Sequence, residues 1–283
     1  MRLTALLALA VIVLSGCDPV SGSAKKTPDV STSVFDRIME TKTLRCGYIV
    51  YPPSLIKDVN TGAFSGISYD IITRLAKDLG LNVEWKEEVG PASMIEGLNT
   101  GRYDLMCTSV WTDSLRGTVA LFTTPVYYTA MNVYARTGDN RFNGNLAAIN
   151  SPSITIATLD GGLAARIASE DYPLAKTFSV PDLTDFSQLL LNVKVGKADV
   201  TFTEAAQAFE FERHNPRAMQ NVTPDQPVRV LTNAFMIKQG ENRLADMLNN
   251  DIRNLHNNGF IERAIAAHEK QPGSYRRVAP AFR

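Results

Sequence analysis

From about residue 34 onward, apolar positions repeat alternately every second residue and every third to fourth residue. These are the periods of a half-buried strand and of an amphipathic helix. Ser33 is a favourable N-cap for a short helix over Val34-Phe-Asp-Arg-Ile-Met39. Thr43 to Val50 predicts a first strand, broken by Tyr51-Pro52-Pro53. After Gly66, the positions Ile71, Ile72, Leu75, Ala76 and Leu79 share one helix face, which Gly80 closes. Leu81, Val83 and Trp85 alternate with polar residues as a second strand, and Met94 to Leu98 predicts a short helix. Asp104 to Val110 reads as a buried strand, followed by a polar, aromatic turn with Arg116 and a long β-rich run, Val126 to Ala135. The polar stretch Thr137 to Pro152 predicts a loop. A second alternating set follows: strand Ile154–Thr158, helix from Gly162, strand near Phe178, helix Asp185–Val195, strand Ala198–Thr203 and helix Ala205–Arg213. Strand Leu231–Ile237 and helices over Asn242–Asn257 and Ile261–His268 complete the body, and Lys270–Arg283 is expected as a loosely docked tail. Such alternation predicts an α/β protein with mostly parallel sheets covered on both faces.

The two sets echo each other. Gly101-Arg-Tyr-Asp-Leu-Met-Cys-Thr-Ser109 resembles Gly196-Lys-Ala-Asp-Val-Thr-Phe-Thr-Glu204, each running from a helix through Gly, a cation and Asp into a strand ending in polar groups. Two similar lobes are therefore expected. Ligands of open α/β sheets bind outside the carboxyl ends of the strands, so facing lobes would place Ser109 and Glu204 on opposite walls of one cleft.

Composition narrows the chemistry. The chain has 283 residues, 45% of them hydrophobic, with Lys+Arg and Asp+Glu equal at 29 each. That balance, with no basic stripe, gives no support for nucleic-acid binding. Three cysteines without a CxxC pair and three scattered histidines argue against a structural zinc site, and no cofactor motif occurs. Arg2 precedes an apolar run, Leu3 to Leu14, of signal-peptide length. Its end, Leu14-Ser15-Gly16-Cys17, resembles the bacterial lipobox, in which the cysteine becomes the lipid-modified first residue. Residues 1–16 are thus expected as a lipoprotein signal peptide, Cys17 as the lipidation site and 17–33 as a flexible tether. Asp18 resembles the signal that retains enterobacterial lipoproteins on the periplasmic side of the inner membrane.

The chain resembles the family 3 extracellular solute-binding proteins, the two-lobed receptors of amino-acid ABC importers, from about Leu44 to Ala267. Gly66-Ile-Ser-Tyr-Asp70 resembles the family's glycine–acid signature, with Ser68 departing from its first acid. Thr108-Ser109, Arg116, Phe122 and Pro125 follow its Ser/Thr, Arg, Phe-Ser-x-Pro pattern, and Gly196-Lys-Ala-Asp199 with Glu204 matches its second-lobe signature.

The resemblance implies two Rossmann-like lobes with mixed β-sheets joined by two hinge strands. The implied domains are lobe 1 over 34–129 plus 235–269, lobe 2 over 130–234 and a tail over 270–283. The expected ligand is a small carboxylate, with an ABC importer permease as partner, the membrane reached through the lipid anchor, and a monomeric protein. Arg116 stands at the carboxylate clamp, where a planar guanidinium gives two-point contact. Glu204 stands where an acid accepts from the ligand's ammonium; Thr108 and Ser109 add neutral groups, and Tyr51 a ring. A zwitterion would satisfy both lobes and tie binding to hinge closure.

Four positions depart from the family: Glu204 for Asp, Trp111 for a small hydroxyl residue, Asp113 for Thr, and Asp160-Gly161-Gly162-Leu163 for Gly-Thr/Ser-Thr. Gly162 at that helix start still offers backbone N–H groups to an anion. Plainer readings stand beside these: Arg116 on an exposed turn, Glu204 favoured by a helix dipole alone, Tyr51 and Trp111 as core aromatics. Cys46 and Cys107 fall on neighbouring strands, as a disulfide or as buried thiols. Alternative functions are an enzyme on the same scaffold, as in the cyclohexadienyl dehydratases, with Glu204 as acid, or a sensory or accessory binding protein.

Overall fold

The structure, a computed structural model, describes residues 33–278. The signal peptide, Cys17 and the tether up to residue 32 lie outside the described residues, as does the tail from residue 279. Helix α1 (Val34–Thr41) starts where expected, with the Ser33 hydroxyl accepting from Asp36 N. It leads into β1 (Thr43–Tyr48), and a small hairpin, β2 (Ile56–Lys57) and β3 (Phe64–Ser65), precedes α2 (Ile67–Asp78). Then come β4 (Asn82–Glu88), α3 (Met94–Asn99), β5 (Leu105–Trp111) and β6 (Ala120–Phe122). β7 (Tyr127–Arg136) leaves this lobe for the second, which holds β8 (Thr155–Leu159), α4 (Leu163–Asp171), β9 (Lys176–Val180) and α5 (Ser187–Lys194). β10 (Val200–Glu204), α6 (Ala205–His214) and β11 (Met219–Asn221) complete it. β12 (Arg229–Lys238) returns, and α7 (Asn242–Asn257), α8 (Phe260–His268) and β13 (Tyr275–Arg276) follow.

The strands join in the order β4-β1-β5-β12-β7-β10-β8-β9, with β6 on β12 and both β11 and β13 on β7. Parallel pairs at each end flank an antiparallel centre made by β12 and β7. Those two central strands are the hinge. Tyr127 and Phe235 belong to the core of lobe 1, whereas Met131 and Leu231 on the same strands belong to that of lobe 2. The predicted α2 face is buried at Ile71, Ile72, Leu75 and Ala76, against α7 and α8. A smaller cluster with Met94, Tyr103 and Met236 fills the other face of the lobe 1 sheet.

The sequence echo has a structural cause. Asp104 Oδ2 accepts from Arg45 N at 2.8 Å, and Asp104 N donates to Arg45 O at 2.9 Å. In lobe 2, Asp199 Oδ2 accepts from Thr155 N at 2.9 Å, and Asp199 N donates to Thr155 O at 2.7 Å. Each acid thus clips its strand to the start of the lobe's first strand, and arginines compensate it: Arg37 and Arg45 on Asp104, Arg136 and Arg141 on Asp199.

Cys46 on β1 and Cys107 on β5 form a disulfide with a Cα–Cα distance of 5.4 Å. The stretch expected as a plain loop, 137–152, carries two short 3-10 turns that bury Phe142 and Ile149. Residues 270–278 also differ from a loose tail. Tyr275 is buried and pairs with β7, and Arg277 forms ion pairs with Glu269 and Glu262. A buried aromatic and a strand pairing hold this segment, features that its prolines and cations concealed.

Candidate functional site

The carboxyl ends of β1, β5 and β10 meet between the lobes. Thr108 fixes the first two together: its hydroxyl donates to Ile49 O at 2.7 Å and accepts from Ile49 N at 2.9 Å. Its side chain is thereby committed to backbone. Just beyond, Tyr51 and Leu55 exchange backbone hydrogen bonds of 2.9 and 3.0 Å around the two prolines, which points the Tyr51 ring into the cleft.

Ser109 belongs to a buried hydroxyl cluster. The Ser54 hydroxyl lies 2.8 Å from that of Ser68 and 2.9 Å from the Tyr127 hydroxyl, and Ser109 bonds to Tyr127 as well. Ser109 N also donates to the Ser68 hydroxyl at 3.1 Å. Ser68, the residue that departs from the family's acid, is thus a neutral partner where a buried charge would need compensation. Burial raises the Tyr127 hydroxyl to about 12, although Ser109 and Ser54 pull the other way.

Arg116 opens a short 3-10 turn and is not exposed; its residue accessibility is 8%. Asp113 caps that turn by accepting from Arg116 N at 2.8 Å and pairs with Arg116 Nε at 3.4 Å. Nη1 donates to Trp111 O at 3.4 Å and Nη2 to Gly161 O, across the cleft, at 3.3 Å. Of five guanidinium N–H groups, these contacts leave donors for a further acceptor. Asp113 also binds Arg166 of lobe 2 at 2.7 Å. Partial burial opposes ionisation of Asp113, but the bonds and charges of Arg116 and Arg166 outweigh it and hold the carboxyl below its ordinary value.

Glu204 ends β10 and caps α6, with 2% accessibility. Its Oε1 accepts from Thr129 Oγ1 on β7 at 2.7 Å and from the Trp111 indole N–H at 3.0 Å. Burial pushes its carboxyl above the ordinary range; bonds from Thr129, Trp111 and Tyr51 only partly offset that. Among the described residues, no cation pairs with it. The aromatic wall is completed by Phe186, whose ring meets Tyr51 edge-on at 4.7 Å, while Trp111 meets Tyr51 at 6.5 Å.

Arg116, Glu204, Ser109, Thr108, Tyr51 and Trp111 all line one cavity of about 30 Å³. Gly162 is not among its walls. It caps α4 and donates its N–H to Leu159 O at 2.9 Å, beside a separate space lined by Tyr51, Trp111 and Phe186. Phe186, Asn233 and Met94 also line the cavity that holds Arg116 and Glu204 and carry no local sequence signal. A space of that size admits about one water, so the lobes are closed here. Asp182 of lobe 2 accepts from Ala92 N at 2.8 Å and from Ser93 Oγ at 2.9 Å, and Gln207 donates to Pro52 O. Gly161, at φ 70°, lies so near Ala92 that an added Cβ would come within 2.6 Å of its Cα. Among the described residues, no group of three or more His, Cys, Asp or Glu is gathered as a metal site requires. No helix among them is long and apolar enough to cross a membrane.

Two α/β lobes on two hinge strands, closed over buried polar groups, define a type II periplasmic binding-protein architecture. The chain belongs to the bacterial extracellular solute-binding proteins, family 3, whose pattern matches residues 44–269. A probable amino-acid ABC transporter-binding protein of Haemophilus influenzae is 27% identical over 230 residues, covering 81% of this chain and 85% of that protein. A cyclohexadienyl dehydratase of Pseudomonas aeruginosa is 24% identical over 210 residues, covering 74% and 76%. The crystal structure of the ancestral amino acid-binding protein AncCDT-1, a precursor of cyclohexadienyl dehydratase, superposes with a TM-score of 0.73 at 23% identity, covering 84% of this chain and 100% of that one. That last likeness is one of fold.

Proposed function

We propose that this protein is an extracytoplasmic solute-binding lipoprotein, anchored through Cys17 on the periplasmic side of the inner membrane. It captures a small carboxylate, an amino acid or derivative, between its lobes and delivers it to an ABC importer. The observation that carries this reading is that Arg116 from lobe 1 and Glu204 from lobe 2 line the same buried cavity. One offers donors to a carboxylate; the other is a buried acid without a cation, which an ammonium group compensates. The relative in Haemophilus influenzae supports the coupling to import. A thermal-shift screen of amino acids, opines, dicarboxylates and cyclohexadienyl acids tests the reading, because a ligand that binds only the folded state raises the melting temperature by mass action.

A second reading rests on Glu204. Its burial favours the protonated carboxyl, the state a general acid requires, and one relative is a dehydratase. Incubating the protein with a cyclohexadienyl acid separates the two: product accumulating over time identifies an enzyme, whereas saturable binding without turnover identifies a receptor.

A further inference from the structure

A third strand lies on the hinge where the two crossing strands change lobes. β13 pairs antiparallel with β7, placing Tyr275 opposite Thr129 and Arg276 opposite Tyr128. Thr129 is the residue whose hydroxyl donates to Glu204 at 2.7 Å, and Asn233 on β12 donates to that same hydroxyl at 2.9 Å. The short strand therefore backs the very backbone that presents Glu204 with its nearest donor.

The segment is fastened on both sides of the hinge. In lobe 1, Arg277 pairs with Glu262 on α8 at 3.2 Å, and within the segment Arg277 pairs with Glu269 at 2.7 Å and Tyr275 N donates to Glu269 at 3.0 Å. Toward lobe 2, Lys270 Nζ reaches Glu210 on α6 at 2.9 Å. The Tyr275 ring is 2% exposed and meets the Tyr127 ring edge-on at 5.0 Å. Tyr127 in turn holds Ser109 and Ser54 through its hydroxyl. The Tyr275 hydroxyl, by contrast, is buried without a hydrogen-bond partner among the described residues. A buried hydroxyl left unpaired opposes folding, so the ring is the part that serves the fold.

We propose that residues 269–277 form a third hinge strand, with Tyr275 as a positioning residue that fixes Thr129 and Tyr127, and through them Glu204 and Ser109. The strap holds the cleft closed. Its consequence for ligand binding rests on the cleft being the binding site, so the test reads the cleft without any ligand. Failure of the strap and failure of the ligand reading then stay distinguishable.

The sequence contains two tryptophans, Trp85 and Trp111, of which Trp111 bonds to Glu204 in the cleft. In a full-length Trp85→Phe background, emission reports Trp111 alone. Tyr275→Phe and Tyr275→Ala are compared there by emission, acrylamide quenching, hydrogen exchange over residues 127–131, and melting temperature. Tyr275→Phe is expected to keep the parent's emission and exchange, with an equal or higher melting temperature. Tyr275→Ala shifts emission to the red and raises exchange over 127–131 by about tenfold or more, well below its own melting temperature. Should Tyr275→Ala fail to fold, Tyr275→Leu is read by the same criteria. The proposal is overturned if the truncating variant lowers the melting temperature yet leaves Trp111 emission and hinge exchange unchanged, or if Tyr275→Phe perturbs both as much as it does.

Discussion

Closure of the lobes can be perturbed without touching the cavity, at the contact between Asp182 and the start of α3. The Asp182 carboxylate accepts from Ala92 N and Ser93 Oγ at 2.8 and 2.9 Å, both across the cleft. Hydrogen bonds to a charged group contribute about 1.5–3 kcal/mol each in protected settings. Asp182 is half-buried, and solvent screening reduces the pair to about 1–3 kcal/mol in total. Removing it in Asp182→Ala should therefore shift the closed-to-open ratio by about 5- to 150-fold. Gly90 offers the converse perturbation. A Cβ there would meet the Asp182 carboxyl carbon at 2.2 Å and its backbone oxygen at 2.5 Å, so Gly90→Ala wedges the same contact apart. Small-angle scattering reads the opening as a larger radius of gyration, and Trp111 emission in a Trp85→Phe background reads exposure of the cleft. Both variants are expected to move both signals in the same direction. If each leaves the radius and the emission at parent values while still folding, the Asp182 contact does not hold the lobes, and the reasoning fails.

Two further outcomes follow from buried groups. Glu204 has a carboxyl raised above its ordinary, unfolded value of about 4.3, so it contributes most stability below that pH and loses it as pH rises through the higher folded value. Stability of the parent relative to Glu204→Gln, from urea melts between pH 4 and 8, should decline with pH; a difference that grows with pH means the charged form is the one favoured. The Cys46–Cys107 bridge closes a loop with a sequence separation of 61, for which chain entropy gives about 4 kcal/mol. Cys46→Ser with Cys107→Ser should lower stability by about 2–4 kcal/mol, and an unchanged urea midpoint would show that the bridge contributes nothing.

Much of the fold was legible because local periodicity and burial agree. The α2 face and the strands at 43–48, 105–111 and 200–204 all lie in segments where apolar spacing alone decides the element. The Gly-cation-x-Asp echo was readable as a repeat, yet its meaning was not, since the backbone N–H groups that Asp104 and Asp199 accept from belong to Arg45 and Thr155, far away in sequence. Arg116 and Glu204 could be singled out through the resemblance to a family. Phe186 and Asp182 could not, because each acts on the opposite lobe and neither stands in a distinctive local pattern. Thr108 shows the limit from the other side: a hydroxyl at a strand end looks available, but its donor and one of its two acceptor positions are taken by Ile49. The short strand at Tyr275 was hidden among cations and prolines, and its pairing to β7 spans about half of the chain.

The role proposed for Arg116 is to clamp the carboxylate of a small solute inside the cleft. Calorimetric titration of the strongest thermal-shift hit into the parent and into Arg116→Ala tests it most directly. Losing one partner of a buried, hydrogen-bonded charge pair costs about 2–5 kcal/mol, so Kd should rise by about 30-fold or more, while an ester or amide of the same solute binds neither protein well. Equal affinity of the two proteins for the free acid would contradict the clamp.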